Sequence, residues 1–152
     1  MMSAAEARES PFPWEQRRVS TADSFMAFVD EGDGLPVVMV HGNPTWGFLW
    51  RKVIPPVSAV ARAIVPDLVG HGRSGRPTRP PRLPDHQRYF DAFMDSLGVD
   101  QLVLVLHDWG GALGLDWASR HEDNVVGLVL MEARVAGYPT WDDVSALARE
   151  RF

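Results

Sequence analysis

The run Leu102-Val103-Leu104-Val105-Leu106-His107-Asp108-Trp109-Gly110-Gly111-Ala112-Leu113-Gly114 constrains the fold more than any other part of this chain. Five consecutive aliphatic residues, two of them β-branched, read as a short strand buried on both faces. The strand stops at His107-Asp108. The small residues Gly110, Gly111, Ala112 and Gly114 then let the chain turn sharply and let the next helix pack close to the sheet. Asp108 is left at the apex of this elbow, over the carboxyl end of a central strand and beside the positive end of a helix. The side chain so displayed is a carboxylate.

The rest of the chain supplies the frame. Arg17–Thr21 and residues 25–30 suit the two strands of an antiparallel hairpin around Ala22-Asp23-Ser24. Pro36–Val40 and residues 61–65 are buried-type strands, and Val125–Met131 is another. Residues 46–60 carry apolar positions at helical spacing, with Pro55 and Pro56 expected to end or bend that helix. Four prolines make 76–84 a loop, after which Asp85 caps a helix running to about Leu97 with Tyr89, Phe90, Phe93, Met94 and Leu97 on one face. A helix over about 110–120 follows the elbow. Alternating strands and helices imply a mostly parallel sheet with helices on both faces, whose ligands bind at the carboxyl ends of the strands. Asn43, Asp108, Trp109 and Glu132 each stand just past a strand end, so they are expected on one rim.

Composition narrows the function. A chain of 152 residues that is 45% hydrophobic suits one domain with a real core. A net charge of -5, with no run of basic residues longer than two, argues against nucleic acid as a partner. The absence of cysteine excludes disulfides, thiol catalysis and Cys-ligated metal, and fits a cytoplasmic setting. Residues 1–15 read as a disordered, Pro-rich lead-in without the apolar core of a signal peptide. No apolar run is long enough for a membrane span.

An elbow carboxylate can attack sp³ carbon, displacing a leaving group and forming an ester that water must hydrolyse. A halide leaving group needs neutral donors in a dry pocket, and Asn43 and Trp109 supply an amide NH₂ and an indole N–H. Pro44 favours extended backbone at Asn43. The backbone N–H groups of Asn43 and Trp109 can form an oxyanion hole for hydrolysis. Each residue also has a plainer reading: Asp108 as a helix N-cap, Trp109 as core, Asn43 as a turn residue and Glu132 as a solvated strand end. His41 and His107 read as structural hydrogen-bonding groups rather than a metal pair, since no third ligand is fixed. Gly70-x-Gly72-x-x-Gly75 imitates a dinucleotide fingerprint, but Arg76-Pro77 follows where a helix should open.

His41-Gly42-Asn43-Pro44-Thr45, Asp67-Leu68-Val69-Gly70-His71-Gly72-Arg73-Ser74, the elbow His107-Asp108-Trp109-Gly110-Gly111 and Gly127-Leu128-Val129-Leu130-Met131-Glu132-Ala133 together resemble haloalkane dehalogenases of the α/β-hydrolase superfamily, from about residue 17 onward. The resemblance implies an α/β-hydrolase fold and cofactor-free, metal-free hydrolysis of a haloalkane to an alcohol and halide. It further implies Asp108 as nucleophile, Asn43 and Trp109 as halide ligands and Glu132 as catalytic acid. Leu106 departs from the small residue usual two places before the nucleophile; epoxide hydrolases, the nearest relatives with an elbow Asp, commonly have Gly there, whereas haloalkane dehalogenases resemble this chain in tolerating an aliphatic residue. Ring-opening tyrosines, which an epoxide hydrolase carries in its cap, have only Tyr89 and Tyr138 as counterparts.

Family members run to about twice this length, with the histidine base last. Here His41, His71, His86, His107 and His121 all precede Glu132. The chain therefore reads as the amino-terminal half of a dehalogenase: residues 16–135 as core, truncated after the sixth strand, and 136–152 as the start of a cap. Such a half is expected to lack its base, to stall at the ester unless a carboxy-terminal half is supplied, and to leave Val125–Met131 as an apolar edge prone to aggregation. An inert fragment is the rival reading.

Overall fold

The computed structural model describes residues 12–133. Six strands form one sheet: β1 (Arg17–Thr21), β2 (Ser24–Glu31), β3 (Pro36–Val40), β4 (Arg62–Pro66), β5 (Leu102–His107) and β6 (Val125–Met131). Their order is β1-β2-β4-β3-β5-β6, antiparallel at β1/β2 and β2/β4 and parallel through β4, β3, β5 and β6. Both flanking turns of the hairpin and every strand fall within about a residue of the sequence expectation, because each aliphatic run is bounded by turn-forming residues. Helix α1 (Ile54–Ser58) precedes β4, α2 (Leu83–Leu97) precedes β5, and α3 (Trp109–Arg120) joins β5 to β6. No helix among the described residues is long and apolar enough to cross a membrane.

The pleat divides the core. Val38, Val40, Ile64, Leu102, Leu104 and Leu106 point to the face covered by α2 and α3, where Phe90, Phe93, Met94, Leu113 and Trp117 pack on them. Met39, Ala63 and Val65 point to the opposite face, against Trp50, Ile54 and Phe12. Each of these large side chains contributes roughly 1.5–3 kcal/mol through burial.

Four expectations are corrected. On β5 only Leu102, Leu104 and Leu106 are buried, while Val103 and Val105 are half-covered, Val105 packing against the cluster that holds Trp50 and Ile54. Pro55 and Pro56 do not end a helix. They open α1 after a 3₁₀ turn at Gly47–Trp50, in first-turn positions where a missing N–H costs no hydrogen bond. Asp85 is not the cap of α2 but its third residue, accepting the N–H of the capping residue Arg82 at 2.8 Å. Finally, the lead-in is packed from Phe12 onward: that ring is 3% exposed and lies 5.0 Å from Trp14 and 5.1 Å from Trp46, centroid to centroid. Aromatic area removed from water outweighs the polarity of the preceding residues. The expected cap segment, 136–152, and Tyr138 lie outside the described residues.

The departure at Leu106 has its counterpart on α3. A Cβ built on Gly114 would stand 2.3 Å from Leu106 Cδ2 and 2.7 Å from its Cδ1. The glycine supplies the room that a small residue in the strand would otherwise provide.

Candidate active site

Three neighbouring strands end together. The β3/β5 ladder pairs Val40 with Leu106 and the β5/β6 ladder pairs His107 with Met131, so Gly42, Asp108 and Glu132 are level just beyond the sheet. Asp108 has φ 51° and ψ -118°, and Glu132 has φ 46°; they are the only non-glycine residues at positive φ among those described. Such backbone costs of the order of 1–3 kcal/mol and marks a position over-determined by its surroundings.

The carboxylate of Asp108 does not cap its own helix. Its Oδ1 instead accepts the backbone N–H of Asn43, across the rim, at 2.9 Å. Gly42 makes this approach possible, since a Cβ there would lie 2.3 Å from Asp108 Oδ1. Asn43 joins Pro44 through a cis peptide bond, and Thr45 closes the turn, its N–H and Oγ1 both donating to the Gly42 carbonyl at 3.1 and 2.9 Å.

His41 anchors the end of β3. Fully buried, its Nδ1–H donates to the Gly42 carbonyl at 2.8 Å and its Nε2 accepts the Leu68 N–H at 2.9 Å. One partner only accepts and the other only donates, which fixes a neutral imidazole. Burial, aided by nearby His71 and His107, lowers its pKa to about 4. The structural reading of His41 holds. His107 is half-buried, with its Nδ1 without a hydrogen-bond partner among the described residues.

Asp67, past β4, holds the next loop. Its Oδ1 accepts the Gly47 N–H at 2.7 Å and its Oδ2 the Arg73 N–H at 2.8 Å, while burial pushes its pKa up against these bonds. Ser74 Oγ donates to the Asp67 carbonyl at 2.5 Å and accepts the Ala27 N–H at 2.8 Å. Gly72 serves the folding of this loop on Asp67, since a Cβ there would lie 2.3 Å from Asp67 Oδ2, and no helix opens after Gly75 as a phosphate site would need.

This pinned loop, the start of α2 and the start of α3 enclose a cavity of about 200 Å³. Leu68, Leu83 and Leu113 give it apolar walls, and Asn43, Trp109, His71 and His86 bring the polar groups. Asp108 adjoins it, bonded to Asn43 and preceding Trp109 in the chain. Glu132 stands on the far side of β5, exposed.

Residues 36–151 match the model of the alpha/beta hydrolase fold family. The chain belongs to that family. Among α/β-hydrolases, it is 41% identical over 143 residues to a haloalkane dehalogenase of Sphingobium indicum, covering 91% of this chain and 48% of the relative. Against a haloalkane dehalogenase of Bradyrhizobium diazoefficiens the identity is 44% over 135 residues, covering 88% and 43%. The crystal structure of the haloalkane dehalogenase DatA from Agrobacterium tumefaciens C58 superposes with a TM-score of 0.79 at 35% identity, covering 90% of this chain and 47% of that one. The chain thus spans about half the length of the curated relatives it matches.

Of the residues singled out from the sequence, Asn43, Asp108 and Trp109 come together at the cavity, and Glu132 is level with Asp108 but apart from the pocket. Sequence reasoning missed His71, His86 and the leucines as cavity-lining groups. The signal for His71 was its place in the loop after a central strand; nothing in the sequence places Leu83 and His86, since α2 reaches the rim only through packing.

Proposed function

We propose that this chain carries the nucleophile and the halide-binding groups of a haloalkane dehalogenase. Asp108 attacks the halogen-bearing sp³ carbon of a small haloalkane; the C–O bond forms as the carbon–halogen bond breaks, and the halide departs with the bonding pair. Asn43 Nδ2 and Trp109 Nε1 donate to the halide in a cavity with mostly apolar walls. Water then adds to the Asp108 carboxyl carbon as a base takes one of its protons; the ester C–O bond breaks, the base returns that proton to the departing oxygen to give the alcohol, and the other proton of the water is released as the Asp108 carboxylate is regenerated. The backbone N–H groups of Asn43 and Trp109 serve as oxyanion hole, and Glu132 is the acid that supports the base.

The single observation that carries this reading is the Asp108 carboxylate, turned away from its own helix onto the Asn43 N–H beside a cavity that presents an amide and an indole. An epoxide hydrolase reading lacks that support, for Tyr89 is buried and its hydroxyl donates to Asp23 at 2.6 Å. None of the five histidines suits the base: both nitrogens of His41 are engaged, and His121 stacks on Trp117 at the far end of α3. His71, His86 and His107 all precede the acid in the chain, against the superfamily order. None of these histidines is therefore assigned as the base, and an ester that meets no base is expected to persist on Asp108.

Intact-mass spectrometry after incubation with 1-bromobutane tests the proposal, run beside Asp108→Ala. The expected result is a stable gain of one butyl group in the parent chain and none in the variant. An adduct that survives the substitution, or bromide release without any adduct, refutes the reading.

A further inference from the structure

Two imidazoles, His71 and His86, line the cavity, and neither has a step in the proposed reaction. His71 is the more tightly placed. The loop that carries it is folded onto Asp67 and Ser74, and its ring packs edge-on against the buried His41, 5.4 Å between centroids. Its Nε2 lies 3.4 Å from Asn43 Oδ1 and its Nδ1 lies 3.3 Å from the Val69 carbonyl oxygen. Both oxygens only accept hydrogen bonds. A neutral imidazole has one N–H and can serve one of them; an imidazolium serves both.

Asn43 has a matching two-fold choice. With Oδ1 toward His71, its NH₂ is turned the other way. With the amide reversed, the carbonyl dipole takes the place of the donor, and an anion meets an oxygen. We propose that His71 is a positioning residue for Asn43: its Nε2–H donates to Asn43 Oδ1 and so keeps the amide NH₂ turned toward the cavity for an anionic leaving group. The inference rests on the halide-site reading given above and adds the group that orients one of its two donors. At 3.4 Å the contact is long, so it biases the amide rather than clamping it, and its loss is expected to weaken anion binding about five- to tenfold.

An imidazolium here would serve Val69 and Asn43 together, so the pH dependence of anion binding tests the arrangement. Among the described residues, the charged and titratable groups near His71 and its partners include His41 past β3, Asp67 past β4, Arg73 and Arg76 of its own loop, His86 on α2, and His107 and Asp108 at the end of β5. His41 stays neutral until about pH 4. His86 is held below its ordinary value, first by burial and then by the nearness of His71, so it is the group whose titration must be told apart.

The test is bromide titration of the full chain followed by tryptophan fluorescence, from about pH 8.5 to about pH 5.5. Trp109→Phe identifies the quenching that belongs to the cavity. The parent chain is expected to bind bromide more tightly as pH falls. His71→Phe, which has no donor, should bind about five- to tenfold more weakly with a flat pH profile. His71→Gln, which keeps an N–H donor without titrating, should restore the affinity and keep the profile flat. Equal affinity and an unchanged profile in His71→Phe overturn the inference while leaving the halide site intact. Trp109-independent quenching at every pH overturns both. A pH effect that vanishes in His86→Gln and persists in His71→Gln assigns it to His86 and also overturns the proposal. If circular dichroism shows that His71→Phe does not fold, His71→Gln decides: a flat profile at retained affinity supports the role, and the parent's profile unchanged refutes it.

Discussion

The two sides of β5 are built differently. Toward β3 and β4, every strand end is tied to a neighbour: His41 to Leu68, Asn43 to Asp108, and Asp67 to Gly47 and Arg73. Toward β6, Val126, Leu128, Val129, Leu130 and Met131 are between 38% and 50% exposed, and Glu132 is exposed beyond them. Asp108 and Glu132 share a positive φ and the same level on adjacent strands, yet among the described residues only Asp108 of the two is held by hydrogen bonding across the rim. Strained backbone is common to both carboxylates; what separates them is the cross-strand support that makes strain serve a fixed side-chain position.

That contrast can be broken from the β3 side. Gly42→Ala places a methyl group 2.3 Å from Asp108 Oδ1 and forces the carboxylate out of line. Butyl-adduct formation, timed by mass spectrometry, should slow by about 100-fold or more, the usual consequence of misplacing a reacting group by about 1 Å. An unaffected rate shows that the carboxylate does not depend on this tie.

Acid attacks the same side. The His41 imidazole takes its proton near 6.5 when unfolded and only near 4 when folded, so the unfolded chain binds more protons between those values. Stability is therefore full above about pH 6.5 and falls as pH drops toward 4, by about 2–3 kcal/mol from this group alone. Urea denaturation at stepped pH should show that slope, and His41→Gln should flatten it while lowering the plateau.

The elbow's packing offers a smaller effect. Gly114→Ala crowds Leu106 and should cost about 1–3 kcal/mol, and pairing it with Leu106→Ala should cost less than the sum of the two single changes. Strict additivity in this cycle breaks the link between the two positions.

On the β6 side the expectations are slight. Glu132→Gln should leave the rate of adduct formation within about twofold, because the acid has no part in the first displacement. Glu132→Gly should raise stability by about 1 kcal/mol as the positive φ is relieved, measurable by thermal unfolding. A large loss of adduct in Glu132→Gln makes the two sides of the rim equals in chemistry.

Strand positions, their mostly parallel order and the elbow at Asp108 were legible because they depend on local patterns: aliphatic runs of strand length, turn residues at their ends and small residues after the carboxylate. The convergence of Asn43, Asp108 and Trp109 followed from the rule that parallel sheets gather their strand ends on one rim. The direction of the Asp108 carboxylate, the room Gly114 leaves for Leu106 and the seating of Phe12 were not legible in this way. Nor was the placing of His71 over Asn43. Each depends on contacts between residues far apart in the chain, and a linear pattern carries their chemistry without their distances. By itself the sequence determined that Asn43, Asp108, Trp109 and Glu132 stand at strand ends on one side of the sheet. Only the tertiary structure decided which of them hold one another there, because hydrogen bonds and close packing depend on geometry to within a fraction of an ångström.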